Sequence, residues 1–171
     1  YALHNDLRAS TDLAAVVSEA DVLVMGVPSS GFRQTLVEVR PHLRPLIPVV
    51  SLAKGFEVGS RKRMTQLVAE ELPGHPVGVL TGPNLAKEIL RGSAAAAVLA
   101  FVDLAIAERL QDVVSSDLFR VYSSTDVVGC ELGGALKNVI ALAAGMADGL
   151  GTGDNTRAAV MTRGLAEVTR L

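Results

Sequence analysis

"LIPVVSLAKG", Leu46 to Gly55, decides the fold: a short apolar, β-branched-rich run without polar alternation ends on a lysine and a glycine. Such a run fits a strand buried on both faces, as in a parallel sheet, rather than one with a wet side. "DVLVMGVP" (Asp21 to Pro28) upstream and "PVGVLTGP" (Pro76 to Pro83) downstream have the same character. Between them, Phe32 to Leu43 carries Leu36, Val39 and Leu43 at helical spacing, and Lys62 to Leu72 carries Met64, Leu67, Val68 and Leu72. Strand and helix therefore alternate.

"SAAAAVLAF" (Ser93 to Phe101) has helix-forming alanines, but it follows Gly92 and precedes "DLAIAERLQDVV", which has its own helical period and an Asp103 cap. It is read as a strand, and "LFRVYSS" (Leu118 to Ser124) as the last one. From Asp126 the pattern is helical, with a second helix from about Asn155 to the end. The expected fold class is α/β: a doubly wound Rossmann-type parallel sheet, incomplete, followed by the first helices of an all-α substrate domain. The expected domains are residues 1–124 and 125–171.

The chain of 171 residues has a formal net charge of −2, which gives no basic field for nucleic acid or an anionic membrane. A small-molecule partner is expected, with no nucleic acid and no membrane. One cysteine, Cys130, excludes an internal disulfide, and His4, His42 and His75 lie far apart, so no metal site is expected. A reducing cytoplasm fits best. No apolar run is expected to reach the ~20 residues of a membrane helix, since the longest are cut by Gly, Asp or Lys. The start at Tyr1 and the end at Leu171 inside a helical pattern suggest a piece of a longer protein.

In open α/β sheets ligands bind beyond the carboxyl ends of the strands. Lys54 should project there. In "TGPNLAKE", Gly82 allows close backbone approach, Pro83 is expected to start a helix, and Asn84 to lie in its first turn, where negative charge is favoured. The sharpest feature is "GGALKNVIALAAGMADGLG" (Gly133 to Gly151), where Lys137 and Asn138 interrupt small and apolar residues. At steps of three and four from Lys137 lie Gly133, Gly134, Ala141, Ala144 and Asp148. A helix apolar all round belongs in a core, and an ammonium there must find an acceptor or lose basicity, which suits proton transfer. The bland alternatives are a snorkelling lysine for Lys137, a surface acid for Asp148, a small apolar filler for Cys130 and an interhelical turn for "GLGTGDN" (Gly149 to Asn155).

"VPSS", "SLAKGFE", "LTGPNLAKEI" and "FRVYSSTDVVGCELGGALKNVIALAAGMADGLGTGDNTRAAVMTRGLAEVTRL" together resemble, in order and spacing, the bacterial-type NAD(P)-dependent glycerol-3-phosphate dehydrogenases. The resemblance implies reversible reduction of dihydroxyacetone phosphate to sn-glycerol 3-phosphate, a step toward glycerophospholipids, with NAD or NADP as cofactor. It implies that Lys137 is the catalytic proton donor and acceptor, that Lys54, Gly82, Asn84 and Asn138 contact or support substrate, and that Lys54 and Ala86 face the cofactor. Asn84 departs from the Ser or Thr frequent in the family. The resemblance further implies that the glycine-rich fingerprint precedes Tyr1, that further substrate contacts follow Leu171, that this stretch alone is inactive, and that the complete protein is a homodimer.

Two other readings compete. One is a β-hydroxyacid-type dehydrogenase of the same plan, whose helix lysine usually has an asparagine several residues on, whereas Asn138 adjoins Lys137. The other is a non-catalytic nucleotide-binding protein, against which stands the presence of both Lys54 and Lys137.

Overall fold

The computed structural model describes residues 4–171, so the first three residues of the expected 1–124 domain lie outside the described residues. The elements in order are α1 (Leu13–Ser18), β1 (Leu23–Met25), α2 (Phe32–Val39), β2 (Val49–Ser51), α3 (Met64–Glu71), β3 (Val77–Thr81), α4 (Ala86–Ile89), β4 (Ala95–Phe101), α5 (Leu104–Val114), β5 (Phe119–Ser124), α6 (Val127–Gly149) and α7 (Asp154–Val168). Every strand expected from the apolar runs is present, including β4 within the alanine-rich stretch. The Asp103 side chain caps α5 by accepting from Ala105 N at 2.9 Å. Helix α2 stops at Val39, short of the expected Leu43: Arg40 still has helical dihedrals, but Pro41 has no N–H to continue the hydrogen-bond ladder.

The five strands form one sheet in the order β1-β2-β3-β4-β5. Strands β1, β2 and β3 run parallel, but β4 is antiparallel to β3, with Gly78 opposite Phe101 and Thr81 opposite Val98. Strand β5 is again parallel to β4. The expectation of a wholly parallel sheet is therefore corrected to a mixed one. A parallel return needs a crossover that carries the chain back along the sheet. Residues 82–94 are numerous enough for one, but they hold only the one-turn helix α4 and turn back at the same edge, so β4 starts where β3 ends.

Alternate residues of each strand feed opposite faces. On one face Val49 and Met25 pack with Phe32 and Leu36 of α2 and Met64, Leu67 and Val68 of α3. On the other, Val50, Leu80, Leu99, Phe101 and Val121 pack with Ala107 and Leu110 of α5. Val127, at the start of α6, seats on Val79 and Ala100. These two strand residues share the pleat face of Val49, so α6 lies on the same side of the sheet as α2 and α3.

Helix α6 corrects two expectations. Continuous through its glycines, it has 23 residues with a mean hydropathy of 1.5 over an 18-residue stretch, long and apolar enough by length and composition to cross a membrane. Glycine interrupts neither the hydrogen-bond ladder nor the hydropathy enough to shorten the run. Its first half nevertheless packs on the sheet, with Val127 and Glu131 buried. The second half is not the core helix expected: Val139, Leu142 and Met146 are exposed, because α7 covers only one side of it. Where α7 does cover it, contact is close, since a Cβ on Gly164 would lie 2.8 Å from Ile140. Asp148 is a surface acid paired with Arg157 at 2.8 Å, and Gly149 to Asn155 spans the end of α6, the interhelical turn and the start of α7.

Candidate active site

Helix α6 runs from Val127, seated on Val79 and Ala100, toward the carboxyl end of β3. It reaches Thr81, the last residue of β3, at Gly134: a Cβ there would stand 2.7 Å from Thr81 Oγ1 and 3.7 Å from the Lys54 side chain. Glycine is what lets the helix descend onto the strand end. One turn later Lys137 emerges at the sheet edge, where loop residue Lys54 arrives from β2 and the Gly82 to Asn84 turn from β3.

These elements enclose an open cavity of ≈ 280 Å³ lined by Lys54, Thr81, Gly82, Pro83, Val98, Gly129, Cys130, Gly133, Gly134 and Lys137. Apart from the two lysines and the Thr81 hydroxyl, the side chains here are apolar or absent. Lys54 Nζ donates to Gly82 O at 2.7 Å and to Asn84 Oδ1 at 3.2 Å. Burial, and then the positive charge of Lys137, hold the Lys54 ammonium below its ordinary basicity. The two amines thus feel each other across the cavity, a region of positive potential walled by small groups.

Gly82 is pinned by the reversed strand. A Cβ there would lie 2.5 Å from Ala96 O and 2.8 Å from Ala97 Cα, backbone atoms that cannot rotate away. The antiparallel β4 therefore both constrains the turn and contributes Val98 to the wall. Pro83 does not start a helix as expected. Helix α4 begins three residues later, at Ala86 after Leu85, and has a single turn. The Asn84 amide N–H is used locally, donating to Gly82 O at 3.0 Å, while its side chain holds Lys54. With one turn of dipole and that amide engaged, the expected anion-binding terminus is absent at Asn84.

Lys54, Gly82 and Lys137 are thus brought together, and Asn84 joins them through Lys54. Asn138 and Ala86 are exposed and do not line this cavity. Lys137 is exposed rather than set in apolar surroundings, because the carboxyl half of α6 is bare on that side. Cys130 is half-buried against Val127 and also lines the cavity; burial raises its thiol above the ordinary range. Among the described residues no group of three or more His, Cys, Asp or Glu side chains is placed to hold a metal.

Sequence reasoning missed Thr81, which it quoted within "LTGP" without singling it out, and the buried Glu131. Glu131 accepts from Thr65 N at 2.9 Å, Thr65 Oγ1 at 2.6 Å and Arg63 Nη1 at 2.6 Å. Its signal was available: one carboxylate in an apolar helix is as anomalous as one lysine. A second network joins α2 to α3 and to the loop after Lys54. Arg33 grips Glu57 through Nε at 2.6 Å and Nη2 at 2.9 Å, and also pairs with Glu70 and Glu71. Arg33 first, and then the Ser60 hydroxyl, hold the Glu57 carboxyl down to about 2.

Known proteins resemble the chain over its whole length. Residues 1–107 match the family described as NAD-dependent glycerol-3-phosphate dehydrogenase N-terminus, and residues 126–171 match the corresponding C-terminus. A glycerol-3-phosphate dehydrogenase [NAD(P)+] of Sphingopyxis alaskensis is 63% identical over 165 residues, covering 96% of this chain and 50% of that protein. One of Mycobacterium avium is 55% identical over 169 residues, with 99% and 50% covered. The crystal structure of glycerol-3-phosphate dehydrogenase from Coxiella burnetii superposes with a TM-score of 0.91 at 35% identity, covering 99% of this chain and 52% of that one. The chain spans about half the length of these relatives. With both family models matched in order, and the lysine-bearing loop and helix meeting at one cavity, the chain belongs to the NAD-dependent glycerol-3-phosphate dehydrogenase family.

Proposed function

We propose that the whole protein carrying this chain reversibly reduces dihydroxyacetone phosphate to sn-glycerol 3-phosphate at the cavity between Lys54 and Lys137. The observation that carries this reading is the convergence of Lys54, Gly82 and Lys137, from three separate elements, on one small cavity at the carboxyl edge of the sheet. Two ammonium groups suit an anionic substrate, and the small residues Gly133 and Gly134 leave room for its carbon chain beside Lys137.

As negative charge grows on the carbonyl oxygen, the Lys137 ammonium stabilises it and delivers the proton; in the reverse direction the neutral amine takes it back. Lys54, fixed by Gly82 O and Asn84 Oδ1, holds substrate from the opposite wall and keeps positive charge beside the reacting carbon. Asn138, exposed outside the cavity on the adjoining face of α6, is assigned only as a neighbour of Lys137.

The residues present fit the nicotinamide end of a dinucleotide. The loops after β1, β2 and β3 share one sheet edge, and Gly55 approaches Ser29 so closely that a Cβ would lie 3.3 Å from its Oγ. Lys54 and Ala86 are the residues assigned to contact it. When bound, the reduced cofactor, NADH or NADPH, would supply the hydride for reduction of the carbonyl. The sheet through residue 124 is assigned to the dinucleotide domain and residues 125–171 to the start of the substrate domain. A cytoplasmic homodimer serving glycerophospholipid synthesis is the setting assigned to the whole protein.

The test is cofactor oxidation by the full-length protein with dihydroxyacetone phosphate against short 3-oxo acids. Turnover with the triose phosphate is expected. Turnover with the oxo acids alone would replace this reading with a β-hydroxyacid dehydrogenase.

A further inference from the structure

We propose that Glu131 is a positioning residue that ties the Lys54 loop to the Lys137 helix and so holds the two amines facing each other. The inference rests on the dehydrogenase reading for its kinetic consequence and on geometry for the rest.

Glu131 is 8% exposed, and all its partners lie on the segment that follows the Lys54 loop. Its carboxylate takes Thr65 N on one oxygen and Thr65 Oγ1 and Arg63 Nη1 on the other. Thr65 N belongs to the first turn of α3, where amides lack partners within their own helix. Glu131 thus caps α3 from α6, with its negative charge at the positive end of the α3 dipole. A buried carboxylate is costly unless its oxygens are filled, and here three donors fill them. An apolar side chain would pack at less cost, but it would not fix the register of α6 against α3.

The connection continues to both amines. Arg63 pairs across an antiparallel bridge with Phe56, and Glu57 N donates to Lys62 O at 2.9 Å, closing the 56–63 loop two residues after Lys54. In the other direction, six helical positions, about 9 Å of rigid rod, lead from Glu131 to Lys137. Gly134 bears on Thr81 midway. A shift of α6 at Glu131 is therefore transmitted to Lys137 relative to Lys54. Misplacing a proton donor by about an ångström can cost roughly 100-fold in rate.

The experiment compares Glu131→Gln, Thr65→Val, Arg63→Met and Arg63→Lys with the parent in the full-length protein. Two readouts are used below the melting transition: steady-state reduction of dihydroxyacetone phosphate, and the yield of a short bis-amine-reactive crosslink joining Lys54 to Lys137 without ligand. Glu131→Gln is expected to lower kcat roughly 10- to 100-fold, with a smaller change in KM, and to cut the crosslink yield by more than half. Arg63→Lys, which keeps the charge, should recover most of what Arg63→Met loses, and Thr65→Val should lie between parent and Glu131→Gln. A lower melting temperature with unchanged kcat and unchanged crosslink yield would overturn the proposal, leaving Glu131 a purely structural strut. If Glu131→Gln does not fold, equal effects of Arg63→Lys and Arg63→Met would overturn it. If the parent itself leaves the triose phosphate untouched, the functional reading fails, and the crosslink yield alone decides the positioning role.

Discussion

The Lys54 ammonium donates to the Gly82 carbonyl at 2.7 Å, joining the loop after β2 to the turn after β3 across the carboxyl edge of the sheet. The same ammonium reaches Asn84 Oδ1 at 3.2 Å, so one side chain locks together two of the segments that wall the cavity. Replacing Lys54 with Met should release the turn and remove a charge, raising KM for the phosphorylated substrate. Asn84→Ala removes only the second hydrogen bond and should cost about 1 kcal/mol or less of substrate binding. Substrate titration of the two variants distinguishes them; an Asn84 effect equal to that of Lys54 would refute the ranking.

Lys137→Met should lower kcat by roughly 10²- to 10⁴-fold, the usual worth of a well-placed acid or base. It should also raise the basicity of Lys54, since the Lys137 charge is one of the two causes that depress it. Steady-state rates test the first part. NMR titration of the Lys54 amine, followed with and without Lys137, tests the second. A kcat within a few-fold of the parent would remove Lys137 from proton transfer.

Two neighbouring glycines in α6 should behave oppositely. Alanine at Gly134 would place its Cβ 2.7 Å from Thr81 Oγ1, forcing helix and strand apart at a cost of roughly 1–3 kcal/mol. At Gly133 an added Cβ meets nothing within 4 Å, so Gly133→Ala should stabilise by up to about 1 kcal/mol through helix propensity. Urea denaturation of both variants reads the difference in sign.

Glu57 makes stability depend on acid pH. Its folded carboxyl is held at about 2, below the ordinary 4.5, so between those values the unfolded chain binds more protons than the folded one. The stabilisation is fully present above the ordinary value and is lost as pH falls through the folded one. Urea midpoints measured down this range should fall more steeply for the parent than for Glu57→Gln; parallel curves would show that Arg33 does not grip Glu57 in solution.

Much of this protein was legible along the chain because local pattern carries it. Unalternating apolar runs mark β1 to β3, the period of Phe32, Leu36 and Val39 marks α2, and a charge inside a glycine-rich helix draws attention to Lys137. The order of the motifs was enough to name the family. The reversal of β4 was not legible, because residues 82–94 are as many as a parallel crossover needs, and strand direction depends on how that connection packs. Nor was the exposure of Lys137, which depends on how much of α6 its neighbours cover. What only the tertiary structure decided is which residues meet: Gly134 against Thr81, Gly82 against the reversed β4, and Glu131 against Arg63 and Thr65, 66 positions away from the latter. Periodicity records which face of an element is apolar, whereas such contacts depend on how whole elements pack, and that is set by the summed burial of the core rather than by any short stretch.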